Sequence, residues 1–373
     1  MITSDIALEC VNCFSLHSPD MYQIYCKNCN NPLIVKYPSF VSEFRWQGIE
    51  IPMPISSNKD LLTLGEANTP IVSLSNTSLL MGLNNVMAKL EFMNPTGSFK
   101  DRGTALMISV AKEMGIQQIV EDSSGNAGSS VAAYCSKGDI KAHIFAPSSA
   151  PQPKLDQISV YGSSTHIIDG SREEVTDAAT QFVDDNQIVY GTHKLSPYFL
   201  EGTKTFAYEL CNDDSYVLPD DLLMPVGNGS LYIGAWLGFQ ELLAKGMINH
   251  IPRMHVIQAD SIKPLVDEFM GNGANVNGFG TTVAGGISVA NPPRSQQIMK
   301  ILKETHGKAI SVSDSSIIDW QRILAQKDGI YCEPTSAAAI AGLHELVKLG
   351  HINKDDKVLV AITGFGLKDK VYI

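Results

Sequence analysis

From residue 60 onward, short apolar runs alternate with amphipathic stretches: VMAKLEF, then TALMISVAKEMG, QQIVED, GSSVAAYCSKG, AHIFAP, LDQISVYG and THIIDG. Brief strands such as IVED, HIFA, HIID, HVIQA and VLVAIT, separated by helical patterns that end in Gly, predict an α/β fold with a mostly parallel sheet covered on both faces. TALMISVAKEMG carries a clear stop signal, with Lys112 in the last turn and Gly115 just past it. The first 36 residues lack this alternation, and YPSFVSEFRWQGIEIPMPISSNKD, rich in Pro and aromatic residues, reads as a connecting segment with a domain boundary near residue 40. There is no internal repeat, and no apolar run approaches the roughly 18 residues that a membrane span needs.

Length and composition narrow the class. A chain of 373 residues with 44% hydrophobic and 18% charged positions is expected to form two or three globular units. A net charge of -11 disfavours nucleic acid and anionic membranes as main partners, which leaves a small-molecule substrate. The opening MITSDIALEC has neither the basic nor the apolar region of a secretory signal, so a cytoplasmic location is expected. Of seven cysteines, Cys135, Cys211 and Cys332 stand singly among apolar residues, as small hydrophobes in a reducing compartment do.

The other four, Cys10, Cys13, Cys26 and Cys29, form CVNC and CKNC, which is metal-ligand spacing for a four-cysteine zinc ribbon. Knuckles without metal, or a redox pair, are the alternatives. Zinc ribbons often place Gly after the second Cys of a knuckle, where a left-handed backbone helps; here Phe14 and Asn30 stand there, and Phe tolerates that conformation poorly. Lys27 and Lys36 face Asp5, Glu9 and Asp20 in this segment, so it has no electrostatic footprint for nucleic acid and a structural role is expected.

Four segments carry candidate chemistry. In NPTGSFKDRG, at 94–103, a turn precedes Ser98, which can cap a helix starting near Phe99, so Lys100 falls in a first helical turn. A positive helix end lowers the pKa of such a lysine, and an amine must shed its proton to condense with an aldehyde. EDSSGNAGSS, at 121–130, follows a strand and offers backbone amides and hydroxyls for an anion or a ring hydroxyl. PVGNGSLYIG, at 225–234, opens a helix through a glycine turn suited to a phosphate; it has no Walker lysine and is not G-x-G-x-x-G. VLVAITGFGLKD, at 358–369, brings Thr363 to the end of a buried strand, where open α/β sheets bind ligands. Taken singly, a solvated lysine, plain strand–helix turns and a simple glycine turn are the plain readings.

Together with Glu333-Pro334-Thr335-Ser336-Ala337, these ordered segments resemble the fold-type II enzymes that use pyridoxal 5′-phosphate (PLP), and most closely the threonine synthase family, whose members often carry an N-terminal zinc ribbon. The resemblance covers nearly the whole chain. It implies two open, mostly parallel three-layer α/β domains with the cofactor between them: a ribbon at 1–40, a large domain at 41–90 and 205–373, and a small domain at 91–204. Lys100 would carry PLP as a Schiff base and move protons at the substrate carbons. Asn126 would bond the 3′ oxygen, Gly227, Asn228, Gly229, Ser230 and Leu231 would cradle the phosphate, and Thr363 would face the pyridine nitrogen. Ser123, Ser124 and Gly125 would take the substrate carboxylate. A hydroxyl opposite the ring nitrogen favours elimination and replacement over transamination. A homodimer is expected.

One segment departs from the family. Threonine synthases usually carry N-S-x-N-P-x-R-x-E-G-Q-K-T, whose Asn, Ser and Arg grip the phosphate of O-phosphohomoserine. Here HKLSPYFLEGTKT, at 193–205, places His193 and Lys194 at the Asn and Ser positions and Phe199 at the arginine. A lost bidentate charge contact costs kcal/mol, although Lys194 restores one positive charge, and Arg102 or Arg172 is a further candidate to reach a phosphate. Three readings stand: a lyase or replacement enzyme acting on another β- or γ-substituted amino acid, a threonine synthase with a rebuilt phosphate site, and a dehydratase of threonine or serine. A non-catalytic PLP-binding module would be marked by loss of the lysine or of Asn126, and both are present.

Overall fold

The computed structural model describes residues 6–37, 45–46, 49–211, 218–272 and 280–372. The chain divides into two units, Met1–Ala67 with Lys100–Tyr208, and Asn68–Phe99 with Glu209–Ile373, so it passes from one to the other at the peptide between Phe99 and Lys100. The ribbon boundary expected near residue 40 lies outside the described residues.

In the first unit, strands Gln118–Glu121, Lys141–Pro147, Ser164–Ile168 and Val189–Tyr190 form a four-stranded sheet. All its pairings are parallel. Its central strands are nearly continuous runs of buried residues, apolar apart from His143 and Glu121, as a sheet covered on both faces requires. Helix Lys100–Glu113 ends as its stop signal predicts, with Gly115 at φ +75°. Helix Lys100–Glu113 and the short helix Pro197–Thr203 meet through glycines. A Cβ on Gly103 would lie 2.5 Å from the Phe199 ring, and one on Gly202 would lie 2.1 Å from the carbonyl oxygen of Arg102.

The N-terminal ribbon is an antiparallel sheet of Ala7–Cys10, Leu16–His17 and Leu33–Lys36. Tyr37, just past its last strand, donates from its hydroxyl to Glu201 at 2.6 Å, and Lys204 both pairs with Glu201 at 2.5 Å and lies over the Tyr37 ring.

In the second unit, six strands run in the spatial order Ala309–Val312, Arg253–Ala259, Asp221–Pro225, Lys357–Ala361, Asn85–Lys89, Ile71–Ser73. Only the pairing of Ile71–Ser73 with Asn85–Lys89 is antiparallel. The sheet packs on the alanine-rich helix Pro334–Lys348, whose small residues let it approach closely; a Cβ on Gly342 would sit 2.5 Å from Ile257.

Candidate active site

Lys100 is the first residue of its helix and is half-buried. Its Nζ lies over the Phe199 ring, 5.7 Å from the centroid. Burial lowers its pKa to about 8, against the opposing charge of Glu121. Burial thus loosens the proton, and about a tenth of the amine is neutral at pH 7 where an ordinary lysine has well under a thousandth. The helix cap expected from Ser98 is not formed: this fully buried hydroxyl has no hydrogen-bond partner among the described residues.

Residues 123–125 lie between strand Gln118–Glu121 and helix Asn126–Gly138, which Gly125 precedes as its cap residue. Ser123, Ser124, Gly125 and Asn126 are all half-buried. Ser123 Oγ accepts from the Gly125 N–H at 3.3 Å, and Ser129 N–H donates to Gly125 O at 3.1 Å. A Cβ on Gly128 would fall 1.9 Å from Ser123 O, so the loop lies flush on the helix and only glycine fits there.

Two carboxylates precede that loop, and their only mark in the sequence is the acidic pair Glu121-Asp122 at a strand's carboxyl end. Fully buried Glu121 accepts the His193 backbone N–H at 3.1 Å and bonds its ring Nδ1 at 2.9 Å. Asp122 receives Lys194 Nζ at 3.0 Å, Arg172 Nη2 at 3.2 Å and Thr176 Oγ1 at 2.7 Å, while its carbonyl accepts from Arg172 Nη1. Burial alone would raise its pKa, but Arg172 and Lys194 hold the carboxyl far below the usual range. Two of the three cations that could reach a phosphate, Lys194 and Arg172, are therefore engaged with Asp122. Arg102 is buried and donates to Thr205 Oγ1 at 3.0 Å. Phe199 is fully buried.

In the second unit, strand Asp221–Pro225 leads through Val226, Gly227, Asn228 and Gly229 into the 15-residue helix Ser230–Ala244. Gly229 has φ +81°, and a Cβ on Gly227 would stand 2.9 Å from Val289 and 3.0 Å from Gly286 O. Asn228 is half-buried, and Ser230 and Leu231 are buried. A glycine-flanked turn whose amides open a long helix fits a phosphoryl group. A half-buried, readily deprotonated lysine fits an aldehyde, so the residues present suit PLP. Thr363, buried just beyond strand Lys357–Ala361, has its hydroxyl 3.1 Å from Ser336 Oγ, which also bonds the Gly364 N–H at 2.9 Å. Thr335 Oγ1 accepts the Gly286 N–H at 2.9 Å. Thr335 and Ser336 were legible as part of a motif, but their tasks, ordering Gly286 and Thr363, were not.

The four ribbon cysteines bring their sulfurs within 4.8 Å of one another. Close pairs are Cys10 to Cys29 at 3.4 Å and Cys13 to Cys26 at 3.6 Å, spacings of four thiolates about one tetrahedral ion rather than of disulfides. Phe14 and Asn30 both adopt left-handed backbones, φ 59° and 54°, and their N–H groups close the knuckles onto Cys10 O and Cys26 O. The ribbon turn thus forms with an exposed Phe where Gly would be easier.

Residues 62–364 match the family model described as pyridoxal-phosphate dependent enzyme. The chain is 31% identical to the threonine synthase of Methanocaldococcus jannaschii, covering 97% of this chain and 92% of that protein. It is 34% identical to that of Halalkalibacterium halodurans, covering 85% and 87%. The fold is shared with a fungal L-serine ammonia-lyase from Rhizomucor miehei (TM-score 0.70, 20% identity, 80% of this chain and 94% of that one). It is shared also with threonine deaminase isoform 2 from Solanum lycopersicum (TM-score 0.68, 19% identity, 82% and 85%). By the extent of the family match and of its threonine synthase relatives, the chain belongs to the pyridoxal-phosphate-dependent enzymes of fold type II.

Proposed function

We propose that this protein is a PLP-dependent lyase or replacement enzyme of the threonine synthase type, acting on a β- or γ-substituted amino acid for which O-phosphohomoserine is at best a poor stand-in. The observation that carries the reading is local to Phe199: an uncharged ring lies beside Lys100 where the family places arginine, and Lys194 and Arg172 are engaged with Asp122. PLP, when bound, supplies an electron sink for the carbon attached to the amino group.

Lys100 would hold the cofactor and then move protons at the substrate carbons, a task for which an amine with a pKa of about 8 is suited near neutral pH. Asn126 would bond the ring oxygen, Gly227 through Leu231 would bind the phosphate, and Thr363, ordered by Ser336, would face the ring nitrogen without protonating it. Ser123, Ser124 and Gly125 would fix the substrate carboxylate at a helix start. Cys10, Cys13, Cys26 and Cys29 would hold a structural Zn²⁺. A homodimer at work in the cytoplasm completes the reading.

A second reading, conversion of O-phosphohomoserine and water to threonine and phosphate, draws on the named activity of the sequence relatives. Serine, threonine, homoserine and their O-phospho, O-acetyl and O-succinyl forms, offered with and without added nucleophiles and read by spectral shifts of the cofactor and by product analysis, separate the two. Threonine formed from O-phosphohomoserine at an ordinary enzymatic rate would decide for the second.

A further inference from the structure

The buried pair Glu121 and His193 has no part in the reading above. The Glu121 carboxylate meets His193 twice, at the backbone N–H and at ring Nδ1. A carboxylate with two such bonds can only accept, so the proton of the neutral imidazole sits on Nδ1 and the lone pair on Nε2. His193 is 6% exposed, and among the described residues its Nε2 makes no hydrogen bond. That nitrogen is not among the sealed, unsatisfied polar atoms of the interior, so it is open to solvent or to a small molecule. The imidazole also stands edge-on to Phe199, centroids 6.1 Å apart, and the Lys100 amine lies over that same ring. Lysine and histidine thus flank one aromatic side chain.

The charges around the imidazole come from four elements. Glu121 and Asp122 lie at the end of strand Gln118–Glu121, Lys100 at the start of its helix, Arg172 on helix Arg172–Asn186, and Lys194 next to His193 itself. The buried Tyr190 hydroxyl stays protonated in their midst. Burial and the Lys100 charge lower the His193 pKa, and the two carboxylates only partly offset them. The resting imidazole is therefore a neutral base.

We propose that His193, positioned by Glu121, is a second acid–base group of the reaction, which accepts the proton of an incoming O–H, S–H or N–H nucleophile in the replacement step. The leaving group has by then departed from the substrate's side chain with its bonding pair, leaving a carbon–carbon double bond. The nucleophile's electron pair forms the new bond to the side-chain carbon, the pair of that double bond moves back toward the carbon attached to the amino group, and the nucleophile's proton passes to Nε2. The imidazolium, steadied by Glu121, then releases it to solvent. This places His193 at the side chain of the substrate and leaves the carbons nearer the amino group to Lys100. The inference rests on the proposed PLP reaction, with the added content that the enzyme uses a nucleophile as second substrate.

The test uses the PLP-loaded enzyme with its best substrate from the panel and a matched nucleophile, water included. Nitrogen-15 NMR of the resting holoenzyme, without turnover, is expected to place the His193 proton on Nδ1; a proton on Nε2 overturns the proposal. His193→Gln is expected to lower nucleophile incorporation about 100-fold, at least ten times more than it lowers leaving-group release, and to abolish the acid limb of the incorporation rate. Removing the carboxylate in Glu121→Gln should move that limb to lower pH. Equal effects on incorporation and release, with the acid limb unmoved, would sink the role of His193. Borohydride reduction of each variant keeps the two readings apart: label on Lys100 with an unaffected His193→Gln defeats this inference alone, while label on another lysine defeats the PLP assignment beneath it.

Discussion

Lys100 and Phe199 face each other at 5.7 Å from amine to ring centroid, and the helices that carry them can approach so closely because each presents a glycine to the other. Gly103 lies under the Phe199 ring, and Gly202 lies against the Arg102 carbonyl. The ring supplies low-polarity surroundings next to the amine, and burial is the main cause of its lowered pKa.

Gly202→Ala would press its Cβ to 2.1 Å from a backbone oxygen, which cannot rotate away. Overpacking of this kind costs about 1–3 kcal/mol, so the urea midpoint should fall with an unchanged slope. If the helices part to make room, water reaches Lys100 and its pKa should climb back toward that of an ordinary lysine. Unchanged stability together with unchanged lysine titration would show that the glycine contact does not set the site.

Lys100→Ala should yield a protein that folds but carries no covalent pyridoxyl group after borohydride reduction, whereas the wild-type label should map to the peptide containing Lys100. The pH dependence has a definite sign. Because the folded-state pKa is lowered from 10.5 to about 8, the neutral amine becomes abundant as pH rises through 8, and the rate of cofactor capture by apoenzyme should rise there rather than near 10. Stopped-flow absorbance after mixing with PLP measures it.

What the sequence made legible here is what short range determines. The strands ending in Glu121 and Ala361, the stop at Gly115 and the glycine turn at Gly227 and Gly229 all follow from apolar period and turn chemistry. So does the spacing of the cysteines. What stayed hidden depends on partners distant along the chain. Glu121 meets His193 and Asp122 meets Lys194 only because strand Val189–Tyr190 pairs beside strand Gln118–Glu121. The Ser98 cap does not form for a related reason: a serine before a helix is a local signal, yet here burial leaves its hydroxyl without a partner among the described residues. Phe14 shows the converse, since a poor local preference gave way to the geometry of the knuckle.

One zinc per chain is expected by elemental analysis, and Cys10→Ser with Cys13→Ser should remove it and lower the melting temperature. Metal binding is folding free energy for so small a sheet, so the ribbon should become protease-sensitive first. The ribbon reaches the helix of Phe199 through Tyr37 and Glu201, not through a cysteine. The kcat of the folded, PLP-loaded double variant should therefore stay within about twofold of wild type, since substitutions at sites that share no partners usually act independently. A collapse of kcat in that species would mean that the ribbon sets the position of Phe199.

Phe199→Arg tests the substrate assignment most directly. The ring is fully buried beside an amine, so an unpaired guanidinium in its place should destabilise the resting enzyme by roughly 3 kcal/mol and lower the Lys100 pKa further. An anionic substrate reverses the balance, because a phosphate can pair the new charge bidentately while Asp122 keeps Lys194 and Arg172 engaged. Two signatures are expected together. O-phosphohomoserine should raise the melting temperature of the variant but not of wild type. Its kcat/KM should also increase about 100-fold over the wild-type value, since about 3 kcal/mol of transition-state binding is worth roughly two orders of magnitude. Turnover of O-phosphohomoserine by the wild type at an ordinary enzymatic rate, unimproved by the arginine, would mean that phosphate is bound by groups other than those around Phe199, and the threonine synthase reading would then stand.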